Sequence, residues 1–242
     1  MIVDKSLILS HEKIADSIYA LTLQTAIAPL AKCGQFVQVA IPGFFLRRPI
    51  SIANIDDNSI SLIYRIVGDG TRRLSQCPSG ETLDLFGPLG NGFPVLQKDV
   101  ILVGGGIGVP PLYETAKSYI ANGICPTVVL GFNDASSSIL CKEFASLGCR
   151  VLVATMDGSL GLKGTVIDVI VKHGLEGKTA LACGPMAMLR AVSEKFNECY
   201  VSLEARMACG MGTCNGCVVK NAQGKAVRIC RDGPVFPGKE VF

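Results

Sequence analysis

The sequence predicts an antiparallel β barrel, then an open parallel sheet with helices on its faces, then a small cysteine-stapled module. Three observations lead there. Residues 1–97 hold short runs rich in Ile, Val, Leu and Tyr, broken at regular intervals by Pro, Gly, Asn and Asp. Residues 98–200 switch to apolar runs without alternation, each followed by a helical pattern. Residues 201–242 are Cys- and Gly-rich with little periodicity.

In the first block the runs are Ser17 to Thr25, Gln35 to Ile41, Ser59 to Val67 and Thr82 to Phe86, preceded by a strand-like start at Met1 to Ser10. In the second, Val100 to Val103, Thr127 to Phe132, Arg150 to Thr155 and Thr179 to Cys183 read as strands buried on both faces. Pro111 to Asn122, Thr165 to His173 and Met186 to Asn197 read as helices. About 40 residues cannot build a large core, so the third block needs its cysteines as a staple.

Bulk composition excludes several classes. With 49% apolar residues the 242-residue chain is not disordered. A net charge of +3 with no Lys/Arg run gives no nucleic-acid footprint. The start shows no basic segment leading into an apolar run, so no signal peptide is expected and the expected location is cytoplasmic. The longest apolar stretch, Val100 to Leu112, is interrupted by three glycines, so no membrane span is expected. Charged residues make up only 18%, which suits either a well-buried fold or a surface covered by a partner. Only two histidines occur, His11 and His173, neither in a catalytic motif. The chemistry is therefore expected to reside in cofactors, with no catalytic side chain of the chain's own.

Cys209, Cys214 and Cys217 form C-x4-C-x2-C, and Cys230 follows after twelve residues. This is the plant-type [2Fe–2S] spacing, in which four thiolates converge on two irons. Gly210, Gly212 and Gly216 let the loop wrap around a cluster. Structural zinc is the competing reading, although zinc sites usually carry two close Cys pairs and only one is present. The other seven cysteines are scattered and read as small buried hydrophobes, except Cys183.

Nucleotide signals sit at strand ends. Gly104, Gly105, Gly106 and Gly108 follow the first strand of the α/β block, where a backbone turn can approach a pyrophosphate. Cys183-Gly184-Pro185 ends its last strand, which puts a thiol at an edge suited to a nicotinamide ring. Asp134, after the second strand, is placed to accept from a ribose 2′-OH or to cap a turn. No Arg lies in Ala135 to Leu140 to receive a 2′-phosphate, so NAD is expected over NADP. In the barrel block, Arg48-Pro49-Ile50-Ser51 sets a cation and a hydroxyl about 10 Å apart in an extended segment. Gly68-Asp69-Gly70-Thr71 precedes a short helix.

Taken in order, Arg48-Pro49-Ile50-Ser51, Gly70-Thr71, Gly87-Pro88-Leu89-Gly90-Asn91-Gly92-Phe93, Gly104-Gly105-Gly106-Ile107-Gly108 and Cys183-Gly184-Pro185 resemble the ferredoxin–NADP reductase superfamily. With the Cys-rich tail, the chain resembles the electron-transfer subunits of NAD-dependent, heteromeric dihydroorotate dehydrogenases of pyrimidine synthesis, over essentially its whole length. The resemblance implies an FAD-binding barrel, an NAD-binding domain and a [2Fe–2S] module. Arg48, Pro49, Ile50 and Ser51 would hold FAD, with Arg48 near its pyrophosphate and Ser51 near the isoalloxazine. Arg65, Ile66 and Val67 would line the flavin, and Gly70 and Thr71 would meet its phosphates. Cys209, Cys214, Cys217 and Cys230 would carry the cluster. The implied partner is an FMN-containing catalytic subunit that oxidises dihydroorotate, in a complex of two of each subunit. Electrons would pass from FMN through the cluster and FAD to NAD.

Two other functions share parts of this pattern. One is a flavin/iron–sulfur subunit of an NAD(P)H-dependent transhydrogenase or a sulfide/hydrogen oxidoreductase. The other is a zinc-bound, non-enzymatic module on a degenerate reductase scaffold.

Overall fold

The computed structural model describes residues 1–242. The strands β1 (Ile2–Ala15), β2 (Ile18–Gln24), β3 (Phe36–Val39), β4 (Arg48–Ile55), β5 (Ser59–Arg65) and, after the short helix α1 (Asp69–Leu74), β6 (Thr82–Leu89) close into an antiparallel barrel, in the order β1-β2-β5-β4-β3-β6. Alternation decides its faces. Val37, Val39, Ile50, Ile52, Leu83 and Leu85 point into one buried core. Their neighbours Phe36, Gln38, Pro49, Ser51 and Phe86 stand on the outer face, where the rest of the chain packs or a ligand can lie.

The second half begins with β7 (Val100–Gly105), α2 (Pro110–Ala121), β8 (Thr127–Phe132), α3 (Cys141–Ser146), β9 (Arg150–Thr155) and β10 (Leu162–Lys163). It continues with α4 (Val166–Lys172), β11 (Thr179–Cys183), α5 (Met186–Lys195) and β12 (Cys199–Ser202). The chain then forms the hairpin β13 (Val218–Lys220) and β14 (Ala226–Arg228), α6 (Ile229–Asp232), β15 (Val235–Pro237) and α7 (Gly238–Val241). The sheet runs β10-β9-β8-β7-β11-β12-β15, parallel throughout except for β15, which pairs antiparallel with β12. β7 is buried along its whole length, as its apolar run requires.

The Cys-rich module is thus an excursion from the sheet. The chain leaves after β12, builds the hairpin and α6, and returns as β15. β12 straddles the expected boundary at residue 200, and the C-terminal residues rejoin the nucleotide sheet. Its core is continuous with that of the sheet: Cys217, Ile229 and Cys230 share one buried cluster with Ile101, Val103, Val201 and Phe236. That continuity meets the need for a staple in part by borrowing the neighbour's core. No helix is long and apolar enough to cross a membrane.

Candidate functional site

A cleft of about 770 Å³ opens where the barrel, the carboxyl ends of the parallel strands and the Cys-rich module meet. The barrel contributes Phe36, Pro49, Ser51 and Arg65. The strand ends contribute Gly105, Gly106, Gly108, Cys183, Gly184 and Pro185. The module side contributes Leu203, Glu204, Ala205, Met207 and Pro234. Arg65 and Glu204 are the only charged side chains that line it.

On the barrel wall the two-residue period of β4 turns Pro49 and Ser51 to the cleft and Ile50 into the barrel core, so Ile50 can offer a ligand only its backbone. Arg48 lies outside the cleft lining. Its guanidinium sits over the Phe44 ring, 5.1 Å from the centroid, and donates to the carbonyl of Leu46. It also presses on the start of α1, where a Cβ added at Gly70 would meet Arg48 Nε at 2.6 Å. A side chain at position 70 would displace the guanidinium from this seat. Thr71 closes the same turn: its Oγ1 accepts from the N–H groups of Val67 and Gly68 at 3.0 and 3.3 Å and donates to the Gly68 carbonyl. Ile66 is half-buried and donates its N–H to Ser17, and Val67 is 82% exposed, an apolar side chain with a face open to a ligand.

At the strand ends the glycines mainly bring two turns together. A Cβ at Gly108 would lie 2.5 Å from the backbone of Cys183 and Gly184, and one at Gly105 would lie 2.6 Å from Met188 Sδ. Gly104 is wedged between Val109, Leu112 and Leu130 and does not line the cleft. Gly106 differs: its φ is +51°, and the nearest atom to an added Cβ is an Arg65 guanidinium nitrogen at 3.9 Å. Gly106 and the Arg65 guanidinium are therefore neighbours across the cleft lining. Burial pushes the Cys183 thiol up to about 12, so it is neutral at the cleft edge. Asp134 is an N-cap. Its Oδ1 accepts from Ser137 N at 2.9 Å and Ser136 Oγ at 2.6 Å, and these bonds hold its carboxyl below the usual range. Its neighbours Asn133 and Ser137 line the cleft, and Asp134 itself does not.

The four module cysteines fall into two pairs. The Cys214 N–H donates to Cys209 Sγ at 3.4 Å, and Cys217 Sγ and Cys230 Sγ are 3.1 Å apart. Gly216 and Cys230 point further N–H groups at the sulfurs of Cys214 and Cys217, both at 3.4 Å. Burial raises the Cys209 thiol, but the Thr213 hydroxyl and the N–H groups of Cys214 and Met211 outweigh it and bring the thiol down to about 5. Burial and the neighbouring Cys217 push Cys230 up to about 12. Two pairs of sulfurs ringed by N–H donors suit a two-iron cluster better than a single ion with convergent ligands. Cys217 and Cys230 are buried and Cys214 is exposed, so one pair faces inward and the other reaches the surface.

The Gly87–Phe93 stretch, noted in the sequence only as part of a family pattern, fastens the module to the barrel. Asn91 N–H donates to the Gly233 carbonyl at 2.7 Å, and its side-chain amide donates to the carbonyls of Arg231 and Asp232 at 3.2 and 3.0 Å. A Cβ at Gly90, whose φ is +74°, would strike Pro234 at 2.4 Å. The sequence pointed to Met207 only as part of a docking surface beside the cysteine loop, whereas its side chain lines the cleft; Glu204 and Gln38 were not singled out. Gln38 carried a weak signal as a polar residue within an apolar strand, and Glu204 carried none.

Residues 204–242 match the model of the iron-sulfur cluster binding domain of dihydroorotate dehydrogenase B. The chain is 42% identical to the dihydroorotate dehydrogenase B (NAD(+)) electron transfer subunit of Bacillus cereus strain G9842, over 97% of this chain and 96% of that protein. The same identity and coverage hold for the subunit of Bacillus anthracis strain CDC 684 / NRRL 3495. Among solved structures, the NADH-dependent reduced ferredoxin-NADP oxidoreductase superposes with a TM-score of 0.90 at 32% identity, covering 98% of this chain and 89% of that one. A cytochrome P450 reductase from Amycolatopsis superposes with a TM-score of 0.72 at 25% identity, covering 81% and 65%. The chain belongs to the family of electron transfer subunits of dihydroorotate dehydrogenase B (NAD(+)).

Proposed function

We propose that this chain is an oxidoreductase subunit that binds FAD, NAD and a [2Fe–2S] cluster and relays electrons between NAD and an FMN-containing dihydroorotate dehydrogenase subunit, in a complex of two of each. One observation carries the reading: a single cleft is lined at once by the barrel, the nucleotide strand ends and the chain entering the cysteine module. When bound, the flavin and the cluster exchange electrons with the nicotinamide on one side and the partner on the other.

The chain's own residues bind, orient and shield. Ser51 offers a hydroxyl and Pro49 an apolar face to the flavin ring, and Val67 offers a further apolar face. Arg65 lines the cleft, while Arg48 and the turn at Gly70 and Thr71 lie beside it as partners for phosphate oxygens. Gly104, Gly105, Gly106, Gly108, Gly184 and Pro185 shape the seat for the nicotinamide nucleotide. Cys183, neutral and apolar in character, borders the ring rather than attacking it. Asp134 keeps Oδ2 outside its capping bonds for a ribose hydroxyl. No Lys or Arg other than Arg65 lines the cleft, which favours NAD over NADP. Cys209, Cys214, Cys217 and Cys230 hold the cluster. Oxidation of dihydroorotate needs a base beside the accepting flavin; Cys183 is held neutral at the nicotinamide edge, Glu204 lies on the module side, and the segment Arg48–Ser51 carries no Cys or Lys. That step is therefore assigned to the partner.

The test is a visible spectrum of the purified chain with acid-extracted flavin identified and iron counted. FAD and two irons per chain are expected. A colourless, zinc-bearing protein would overturn the reading.

A further inference from the structure

Two thiols at the far end of the nucleotide sheet have no place in the electron path. Cys125 and Cys149 precede the neighbouring parallel strands β8 and β9, whose register sets Thr127 opposite Arg150. The two cysteines therefore stand at the amino-terminal edges of adjacent strands, where parallel neighbours lie about 5 Å apart. Cys125 Sγ reaches across and lies 3.3 Å from the Gly148 carbonyl, the oxygen on the peptide that leads into Cys149. Cys125 is exposed and Cys149 is buried, and both are free thiols. Burial, followed by the Cys125 thiol lying against it, pushes the Cys149 thiol up to about 12, so Cys149 is neutral and Cys125 alone is accessible.

We propose that Cys125 and Cys149 are an oxidation site, a dithiol that hydrogen peroxide converts to a disulfide across the base of β8 and β9. The exposed Cys125 sulfur gives up its proton and attacks one peroxide oxygen, the O–O bond breaks, and the departing hydroxide takes up that proton, leaving a sulfenic acid and one water. Cys149 sulfur then attacks the Cys125 sulfur, the S–O bond breaks, and a second water leaves with the Cys149 proton. In sum, two thiols lose two electrons and two protons, and one peroxide becomes two waters. The Cys125 sulfur already touches the peptide that leads into Cys149, so a sulfenic acid formed on it has a second thiol on the next residue to resolve it. The six residues of β8 separate the site from the cleft by about 20 Å at ~3.3 Å per residue. The disulfide is therefore expected to leave the NADH-oxidising reaction of the flavin unchanged. It marks peroxide exposure and clamps two strands rather than switching the chemistry.

The test uses the full chain with its flavin and cluster. It is exposed to hydrogen peroxide, the visible spectrum is checked for retained cluster, and the protein is then denatured, alkylated, digested and mapped by mass spectrometry. The expected result is a peptide linked through Cys125 and Cys149, loss of two alkylatable thiols, and full recovery with dithiothreitol. In Cys125→Ser, exposed and far from the cofactors, the linked peptide should vanish and Cys149 should stay alkylatable. The proposal is overturned if Cys125 accumulates as a sulfinic acid or an unresolved adduct while Cys149 remains alkylatable. It is equally overturned if Cys149 is oxidised to the same extent in Cys125→Ser.

Discussion

The side-chain amide of Gln38, fully buried on the outer face of β3, donates to the carbonyl of Ala208 at 3.2 Å, one residue before the first cysteine of the cluster module. Its Oε1 is buried without a partner. The bond ties the cysteine loop to the strand beside the flavin-facing wall. Gln38→Ala removes the donor and leaves a cavity and an unpaired carbonyl, so a loss of about 1–3 kcal/mol is expected. Gln38→Leu refills the volume and removes the orphaned Oε1, so it should be milder. Denaturant melts with the rate of cluster bleaching check the order. Equal losses would contradict the role given to this bond.

Asn91→Ala loses two side-chain bonds to Arg231 and Asp232 but keeps the backbone bond to Gly233. Because Asn91 is exposed, water can replace part of the loss, and the expected cost is about 1 kcal/mol. The cluster should be lost faster while FAD content stays constant. Loss of FAD first would place the weakness elsewhere.

Arg48→Ala should weaken FAD retention. A charged hydrogen bond contributes about 1.5–3 kcal/mol, equivalent to roughly 10- to 100-fold in Kd. Gly70→Ala should act in the same direction through displacement of the guanidinium it would strike. Flavin titration of the apoprotein measures both. Unchanged affinity in Arg48→Ala would remove Arg48 from the FAD site.

Cys214→Ser should abolish the cluster and uncouple the partner while NADH still reduces FAD. Cys214 is exposed and its sulfur is the outward member of its pair, so the barrel should be undisturbed. Full iron content with full coupled turnover would contradict its assignment as a ligand.

Glu114 on α2 is buried and accepts from the Ile55 N–H of the barrel at 2.8 Å, joining the two large domains. Burial holds its carboxyl above its ordinary value of 4.5, although the Ile55 N–H and Lys117 oppose this. A carboxyl raised in the folded state favours folding when protonated. Its contribution is complete below the unfolded value and lost as pH rises through the folded one. Glu114→Gln keeps an acceptor and removes the titration. The difference in Tm, variant minus parent, should become more positive as pH rises from about 4.5 to neutrality. A difference that is constant or falls would contradict the sign.

Much of this was legible in the sequence because each feature had its own local signal. The change from period 2 to unbroken apolar runs marked the passage from barrel to parallel sheet. The spacing of Cys209, Cys214 and Cys217 marked the cysteine loop, in which the Cys214 N–H reaches the Cys209 sulfur and the Cys217 and Cys230 sulfurs lie 3.1 Å apart. What was not legible depends on contacts between distant segments. The glycines at 104, 105 and 108 read as room for a pyrophosphate; Gly104 instead packs against Val109, Leu112 and Leu130, while Gly105 and Gly108 line the cleft and also let the turn at Cys183–Pro185 approach. Ile50 sits within the segment proposed to hold FAD, but strand alternation turns its side chain into the barrel. The return of Val235–Pro237 to the nucleotide sheet and the Asn91 fastening each join residues more than 30 positions apart, and no local pattern announces them.

The central claim is that this chain relays electrons and leaves the oxidation of dihydroorotate to its partner. The most direct measurement supplies dihydroorotate and NAD to the purified chain, with FAD and iron verified, and follows NADH formation before and after the FMN-containing subunit is added. The account predicts no NADH from the chain alone and sustained production once the partner is present. Sustained NADH formation without the second subunit would contradict it.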